Sequence, residues 1–219
     1  MPLAAVIDAL LPPACAACGR VGAILCPRCR ATFRPPSDPA DRFIAADAGV
    51  VLGEAVTVVL AALAYEGPVR RALGRLKYAG AARVADPLAQ AALPTLERLV
   101  ALTGPAMLVP VPVHPARRRE RGYNQAALLA GALSRGSGLP VAEPLTRARE
   151  TARQHRLDRA ARLANLRDAF AMAPSARAPP SAILVDDILT TSATMEACAA
   201  ALRDGGASAV CGLAIAREV

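Results

Sequence analysis

The last third of the chain has the clearest pattern of apolar and polar segments. An apolar run at 183–185 predicts a buried strand, and apolar residues then recur at helical spacing from about Ala193. Gly205 and Gly206 are expected to end this helix, and a second apolar run at 209–215 predicts another strand. A strand, a helix and a strand with short connections form a βαβ unit, so this region predicts a parallel sheet in an α/β domain.

Earlier apolar runs predict more elements of the same domain. Residues 55–65 indicate a strand, and a helix with apolar spacing follows it up to Gly80. Residues 107–113 predict a buried strand whose prolines make its end irregular. A further helix is expected over about 125–134.

Length and composition limit the class of protein. A chain of 219 residues has room for one domain and a small module, and its 54% apolar but 3% aromatic residues predict a core of leucine, valine and alanine. The longest uncharged stretch, 99–116, holds five glycines or prolines, which argue against a membrane-spanning helix. The first residues lack a basic region and include Asp8, so they do not resemble a secretory signal. We therefore expect a cytoplasmic protein without membrane insertion.

Positive charge is concentrated in one segment. The net charge is +8, and residues 114–170 hold twelve arginines and five acidic residues, a difference of +7. Such a segment favours a polyanionic partner, either nucleic acid or a phosphorylated small molecule. An arginine-rich solvated surface is the alternative.

Four of the six cysteines form two C-x-x-C pairs separated by seven residues. Two such turns can direct four thiolates at one ion, so the spacing predicts a zinc site formed by Cys15, Cys18, Cys26 and Cys29. Four protein ligands leave no open position, which indicates a structural ion. Disulfides are the alternative, but nothing in the sequence indicates an oxidising compartment. Neither His114 nor His155 has ligand spacing to these cysteines.

A proline-rich polar segment at 34–42 has the composition of a linker. It divides the chain into a module at 1–36, with an N-terminal helix and the four cysteines, and a larger domain at 45–219. Cys198 and Cys211 lie in the larger domain and are expected to be buried thiols.

The segment ILVDDILTTSAT, residues 183–194, joins two acidic residues to a cluster of hydroxyls. A buried carboxylate without a partner is costly, so Asp186 and Asp187 are expected at the exposed end of their strand. Ligands of open α/β sheets bind beyond the carboxyl ends of strands, where carboxylates can accept hydrogen bonds from sugar hydroxyls. The turn that follows offers hydroxyls and helix N-terminal N–H groups to a phosphate. Together these features indicate a sugar phosphate as ligand.

This segment resembles the phosphoribosyl-pyrophosphate (PRPP) motif of type I phosphoribosyltransferases. The resemblance implies a catalytic acidic pair, Asp186 and Asp187, that contacts the ribose hydroxyls. It also implies a loop that surrounds the 5′-phosphate, formed by Thr190, Thr191, Ser192, Ala193 and Thr194. Ser192 stands where the motif usually has glycine, which permits positive φ or a close backbone approach.

Most of the chain resembles the ComF family of competence-associated proteins. The resemblance rests on the four cysteines and on three motifs: YEGPVRRALGRLKYAG, VPVPVHPARRRERGYNQAALLA and RARETARQHRLDRAARLANLRDAF. It implies a zinc ribbon before a phosphoribosyltransferase-like parallel sheet flanked by helices, with PRPP and Mg²⁺ at the site. An anion-binding loop is implied at Arg117, Arg119, Arg121, Asn124 and Gln125. A basic loop over the site is implied at Arg147, Arg149, Thr151, Gln154, Arg162 and Asn165.

The family resemblance implies a role in DNA uptake, with single-stranded DNA or the uptake machinery as partner. The alternative is an active phosphoribosyltransferase of nucleotide salvage, in which a nitrogenous base displaces pyrophosphate from PRPP. Aromatic residues are scarce, so a stacking platform for bases is not expected.

Overall fold

The computed structural model describes residues 12–36, 55–78, 81–147, 169–190 and 192–218. Among these residues no helix combines the length and the apolar character needed to cross a bilayer. The helices are α1 (Pro27–Arg30), α2 (Gly67–Leu76), α3 (Ala85–Thr103), α4 (Pro115–Arg121), α5 (Gln125–Ser137) and α6 (Ala193–Asp204). The strands are β1 (Val59–Ala64), β2 (Met107–Pro110), β3 (Leu145–Arg147), β4 (Phe170–Met172), β5 (Ser181–Leu189) and β6 (Ala209–Arg217).

Four strands form a parallel sheet in the order β1-β6-β5-β2. The predicted βαβ unit is confirmed, because β5 and β6 pair in parallel and α6 connects them. β3 and β4 form a separate antiparallel pair. The predicted parallel sheet flanked by helices is therefore correct.

Helices cover one face of the sheet, and α6 with the β3–β4 pair covers the other. Ile183 and Val185 of β5 pack with α2, α3 and α5, whereas Ala182 and Leu184 pack with α6. Strands that are buried on both faces carry continuous apolar runs, as β1 does with six buried residues. This is why the strands were visible as unbroken runs in the sequence.

The cysteine module, which we define as residues 12–36, shares the apolar core of the helical face. Its Cys15, Leu25 and Cys29 belong to the same cluster of buried residues as α2, α3 and α5. Arg71 of α2 donates a hydrogen bond of 2.6 Å to the carbonyl of Ala17. The predicted boundary at 37–44 lies outside the described residues, so the division into two domains stays a prediction.

Two strands end at different places from those predicted. β5 was expected to end at Val185, but it continues to Leu189 and includes Asp186 and Asp187. It continues because β6 remains available as a pairing partner through Arg217. β2 ends at Pro110 rather than at Val113, although the N–H of Val111 still donates to the Val185 carbonyl at 2.9 Å.

Buried polar contacts fix α6 against the segment that enters β1. The carboxylate of Glu196 accepts hydrogen bonds from the N–H groups of Ala55, at 3.0 Å, and Val56, at 3.2 Å. Arg203, two turns further on, donates to the carbonyl of Ala55 at 3.1 Å. These contacts join residues about 140 positions apart and hold the helix that follows the acidic pair.

Candidate functional site

The four predicted metal ligands lie together. Ala14 and Val21 form an antiparallel bridge around the first pair of cysteines, and the turn between them uses Gly19 at φ +76°. The second pair surrounds Pro27 at the start of α1. As a result, the Sγ atoms of the four cysteines all lie within 4.8 Å of one another, and none of them forms a disulfide. This cluster can hold a metal ion.

The thiols of the cluster differ in their environment. Burial opposes ionisation of Cys15, but hydrogen bonds from backbone N–H groups outweigh it and lower its pKa to about 6. Burial and the neighbouring thiols raise the pKa of Cys29 to about 12. Hydrogen bonds to a thiolate favour the charged form, which is the form that binds metals.

The acidic pair lies inside β5 but beyond the end of β2. Asp186 is paired with Ala214 of β6, whereas the ladder with β2 ends at Val185. Asp187 is buried, with 7% of its surface exposed. The expected exposed strand end is therefore wrong, although the pair does lie at the carboxyl end of a neighbouring strand.

Each carboxylate accepts a hydrogen bond from the backbone N–H of the following residue. Asp186 Oδ1 lies 2.8 Å from the nitrogen of Asp187, and Asp187 Oδ1 lies 3.0 Å from that of Ile188. The second oxygen of Asp187, Oδ2, is buried and accepts no hydrogen bond from the described part of the chain. One acceptor atom is therefore available for a ligand.

Burial raises the pKa of the Asp186 carboxyl well above its usual range, and the adjacent Asp187 carboxylate adds to the increase. The positive charge of Lys77 opposes this shift. Burial and the charge of Asp186 also raise the pKa of the Cys198 thiol, while Arg147 opposes them. Asp186 itself is half-buried, and it shares with Ala182 and Leu184 the face of β5 that packs against α6.

Lys77, which sequence reasoning missed as a site residue, provides a positive charge next to Asp187. Its Nζ atom lies 3.6 Å from Asp187 Oδ2. A sequence signal existed, because Lys77 is the single lysine of a chain with 25 arginines. Lysine and arginine are not interchangeable at sites that need a compact charge.

The hydroxyl loop connects β5 to α6. Thr190 is exposed, Thr191 lies outside the described residues, and Ser192 is buried, while Ala193 and Thr194 lie in the first turn of α6. The backbone of Ser192 has φ −69° and ψ −7°, an ordinary right-handed conformation. Serine at this position therefore causes no backbone strain, and the positive φ that a glycine would permit is not used.

Residues of the predicted anion-binding loop follow β2 and differ in their contacts. Arg117 and Arg119 are exposed on α4, and Arg121 donates to Gln125 Oε1 at 3.0 Å. Asn124 is buried: its side chain accepts from the N–H of Ala126 at the start of α5 and donates to the carbonyl of Val111. Asn124 therefore has a structural role as a helix cap. α4 begins five residues after β2, near the same sheet edge as Asp186.

The predicted basic loop is only partly described. Arg147 ends β3, and its guanidinium carbon lies 5.1 Å from the centre of the Phe170 ring. Arg149, Thr151, Gln154, Arg162 and Asn165 lie outside the described residues.

Curated proteins similar to this chain have names connected with DNA. The DNA utilization protein YhgH of Escherichia coli is 33% identical over 150 residues, which are 67% of this chain and 66% of that protein. The protein of the same name from Salmonella typhimurium is 29% identical over 200 residues, which cover 90% of this chain and 85% of that protein. Competence protein F of Haemophilus influenzae is 37% identical over 105 residues, 47% of this chain and 46% of that protein.

The matched regions therefore span from about half to most of the length of these relatives. No family model matches the chain. Among solved structures, glutamine PRPP amidotransferase from B. subtilis is 18% identical with a TM-score of 0.36, covering 67% of this chain and 26% of that chain. The allosteric regulatory enzyme of purine biosynthesis has the same identity and TM-score and covers 60% of this chain.

The raised pKa of Asp186 predicts how stability depends on pH. Because the folded chain holds this proton to a higher pH than the unfolded chain, stability falls as pH rises from the usual aspartate range through the folded-state pKa. Asp186→Asn cannot ionise, so it should melt at a higher temperature than the parent at pH 8. The difference in melting temperature between Asp186→Asn and the parent should disappear near pH 4. For a chain of this length, each 1 kcal/mol corresponds to about 2–4 °C.

Calorimetric melting without added Mg²⁺ or phosphates measures this difference, and the exposed Asp204→Asn is the matched control. A parent that melts at the same temperature as Asp186→Asn at both pH values would show that Asp186 is well solvated.

Proposed function

Because the chain belongs to the ComF family, we propose that it is a PRPP-binding protein with a phosphoribosyltransferase-like domain, acting in DNA uptake. The observation that carries the proposal is the position of Asp186 and Asp187. They lie where the β2 ladder ends, six and seven positions before the start of α6, at the carboxyl end of a parallel sheet. Open α/β sheets bind their ligands at this edge.

Each half of PRPP has a complementary group at this edge. Asp187 Oδ2, which accepts no hydrogen bond from the described residues, is the proposed acceptor for a ribose hydroxyl, and a charged acceptor strengthens such a bond. The loop from Thr190 to Thr194 and the N-terminus of α6 receive the 5′-phosphate, because N–H groups at a helix start attract anions. The exposed guanidinium groups of Arg117 and Arg119 are proposed to contact the pyrophosphate, together with those of Arg121 and Arg147.

Mg²⁺ fits the same donor set. It prefers oxygen ligands and commonly bridges a protein carboxylate and substrate phosphates. Asp186 and Asp187 would hold it together with the phosphates of PRPP. When bound, the ion would neutralise part of the pyrophosphate charge. Besides the ligand contacts proposed for them, Gln125 accepts a hydrogen bond from Arg121, and Asn124 caps the start of α5.

The metal of the cysteine cluster is proposed to be zinc, in a structural role. A zinc tetrahedron with Zn–S distances of about 2.3 Å has sulfur–sulfur edges of about 3.8 Å. Cys18 and Cys26 have Sγ atoms 3.7 Å apart, and the other distances stay within 4.8 Å. Four thiolates complete the coordination, so the ion stabilises the module and leaves no position for a substrate.

The role in DNA uptake rests on the relatives' names and on the arginine-rich segment at 114–170. Contacts with phosphates suit this segment better than base stacking, because aromatic residues make up only 3% of the chain. The proposed cytoplasmic partner is single-stranded DNA or a component of the uptake machinery. An active phosphoribosyltransferase remains the alternative, and pyrophosphate release from PRPP in the presence of a base distinguishes it from a binding domain.

PRPP binding is expected to depend on Asp187. Asp187→Asn removes the charge of a buried acceptor, and a hydrogen bond to a charged group contributes about 1.5–3 kcal/mol, so affinity should fall about tenfold or more. Titration calorimetry with PRPP and Mg²⁺ measures the change. Asp204→Asn, at the exposed end of α6, should bind as the parent does. Absence of PRPP binding to the parent would refute the proposal.

The purified protein should carry one zinc ion per chain. Cys26→Ser removes one of four ligands and should release the ion, whereas Cys211→Ala, a buried cysteine outside the cluster, should retain it. The melting temperature of Cys26→Ser should also fall, since the cysteine module shares its core with α2, α3 and α5. Elemental analysis measures the zinc content, and calorimetry measures the melting temperature. A parent without zinc, or with Cys15 and Cys29 oxidised, contradicts the assignment.

Binding of single-stranded DNA should weaken steeply with salt. Each neutralised phosphate contributes about −0.7 to the slope of log affinity against log salt. Replacing Arg147 and Arg149 by alanine should make that slope less negative, while Arg177→Ala, an exposed change outside the basic segment, should leave it unchanged. Fluorescence anisotropy at several salt concentrations provides the slopes. Equal slopes for all three proteins would exclude the basic segment from DNA contact.

A further inference from the structure

We propose that Lys77 is a ligand-binding residue, which contacts a phosphate of the phosphosugar while Asp187 accepts one of its hydroxyls. This inference rests on the proposed binding of PRPP. Its first support is composition: the chain uses arginine at 25 of its 26 Lys and Arg positions, and the single lysine stands beside the acidic pair. Lysine at this position is thus an exception to the chain's use of arginine.

The second support is the geometry around Asp187 Oδ2. Among the described residues this buried oxygen has no hydrogen-bond donor, and Lys77 Nζ lies 3.6 Å away, beyond a direct bond. The side chain of Lys77 is 32% exposed, whereas that of Asp187 is 10% exposed. The ammonium thus lies between the buried carboxylate and solvent. A ligand that enters at this edge meets an acceptor and a positive charge within 4 Å of each other.

The third support is the way Lys77 is held. Lys77 follows the last residue of α2, and the carbonyls on either side of it, those of Leu76 and Tyr78, both face the hydroxyl of Tyr123. The Tyr123 oxygen lies 2.8 Å from the Leu76 carbonyl oxygen. Tyr123 lies in the connection between α4 and α5, so one hydroxyl ties this connection to the turn that carries Lys77. We assign Tyr123 as a positioning residue.

The chemistry explains why lysine suits this position. Its ammonium is a compact charge with three donors on a flexible stem, so it can turn from a carboxylate to a phosphate oxygen. An arginine fork would bind the Asp187 carboxylate through two parallel bonds and compete with the ligand hydroxyl. The Asp187 carboxylate and the Lys77 ammonium together therefore select a ligand with a hydroxyl and a phosphate close together, as in a phosphorylated ribose.

Substitutions test the role of the charge. Lys77→Met keeps the length of the side chain and should weaken PRPP–Mg²⁺ binding about tenfold or more. Arg75→Met removes the same charge from an exposed position two residues away and should change affinity less than about twofold. Lys77→Arg should restore binding only in part. If Lys77→Met and Arg75→Met bind alike, general electrostatic attraction accounts for the charge and the proposal is wrong.

A double-mutant cycle tests Tyr123. Tyr123→Phe removes only the hydroxyl, and it should weaken PRPP binding in the parent but not in the Lys77→Met background. Its effect on the melting temperature should be the same in both backgrounds, because the lost hydrogen bonds are the same. An equal loss of affinity in both backgrounds would assign Tyr123 a purely structural role.

The single lysine also permits a direct measurement that does not depend on activity. Labelling with [¹³Cε]lysine gives one side-chain NMR signal, which should shift when PRPP and Mg²⁺ are added to the full-length protein. If the parent does not bind PRPP, the proposed function fails, and titrations with pyrophosphate and with ribose 5-phosphate then test Lys77 alone. A shift of the lysine signal with either anion supports an anion site at Lys77. If PRPP, pyrophosphate and ribose 5-phosphate all leave the signal unchanged, the proposal for Lys77 is wrong.

Discussion

Strand β5 is paired on both sides, with β2 and with β6, and helices or strands cover both of its faces. This double pairing decides where the acidic residues lie. Because β2 stops at Pro110 while β6 continues, the segment with Asp186 and Asp187 is held by one neighbour and open on the side of the other. The early end of β2 thereby creates the edge at which the carboxylates, the hydroxyl loop and α4 meet.

The position of the acidic pair has a cost in stability. Burial raises the pKa of the Asp186 carboxyl, and repulsion from the adjacent Asp187 carboxylate raises it further. A chain selected for stability alone would carry apolar residues here, since β5 is apolar up to this point. Groups with perturbed pKa values concentrate at functional sites, and the pair fits that tendency. Lys77 offsets part of the repulsion from a position that still leaves one oxygen of Asp187 without a hydrogen bond.

The sequence predicted those helices, strands and metal ligands whose pattern lies within a short stretch of the chain. The β5–α6–β6 unit followed from apolar runs and two glycines, and the four cysteines followed from their spacing. Helix α3 was missed although Leu88, Ala92, Leu96 and Leu99 recur at helical spacing and are buried. The extension of β5 was missed because two charges interrupted the apolar run, and only the pairing with β6 explains it.

The contacts of the site were harder to predict, because they join distant parts of the chain. Lys77 and Asp187 are 110 positions apart, and Tyr123 is 47 from Leu76. A pattern within a short stretch of sequence cannot predict a contact between such distant residues. The sequence did show that lysine is rare in this chain. Asn124 shows a different difficulty: the motif around it suggested anion binding, which stays a prediction, and the structure adds that its amide caps α5 and binds the Val111 carbonyl. One motif can thus mix ligand contacts with residues that shape the loop.

Helix α2 connects the cysteine module with the candidate site. Arg71 binds the Ala17 carbonyl between the first two cysteines, and Lys77 follows the end of the same helix. Six residues of helix span about 9 Å, and a helix of this length is rigid only when its ends are held. The Ala17 contact holds one side, and the hydroxyl of Tyr123 holds the other. The order of the cysteine module and the position of the lysine beside Asp187 therefore depend on one helix, although the two lie far apart in the sequence.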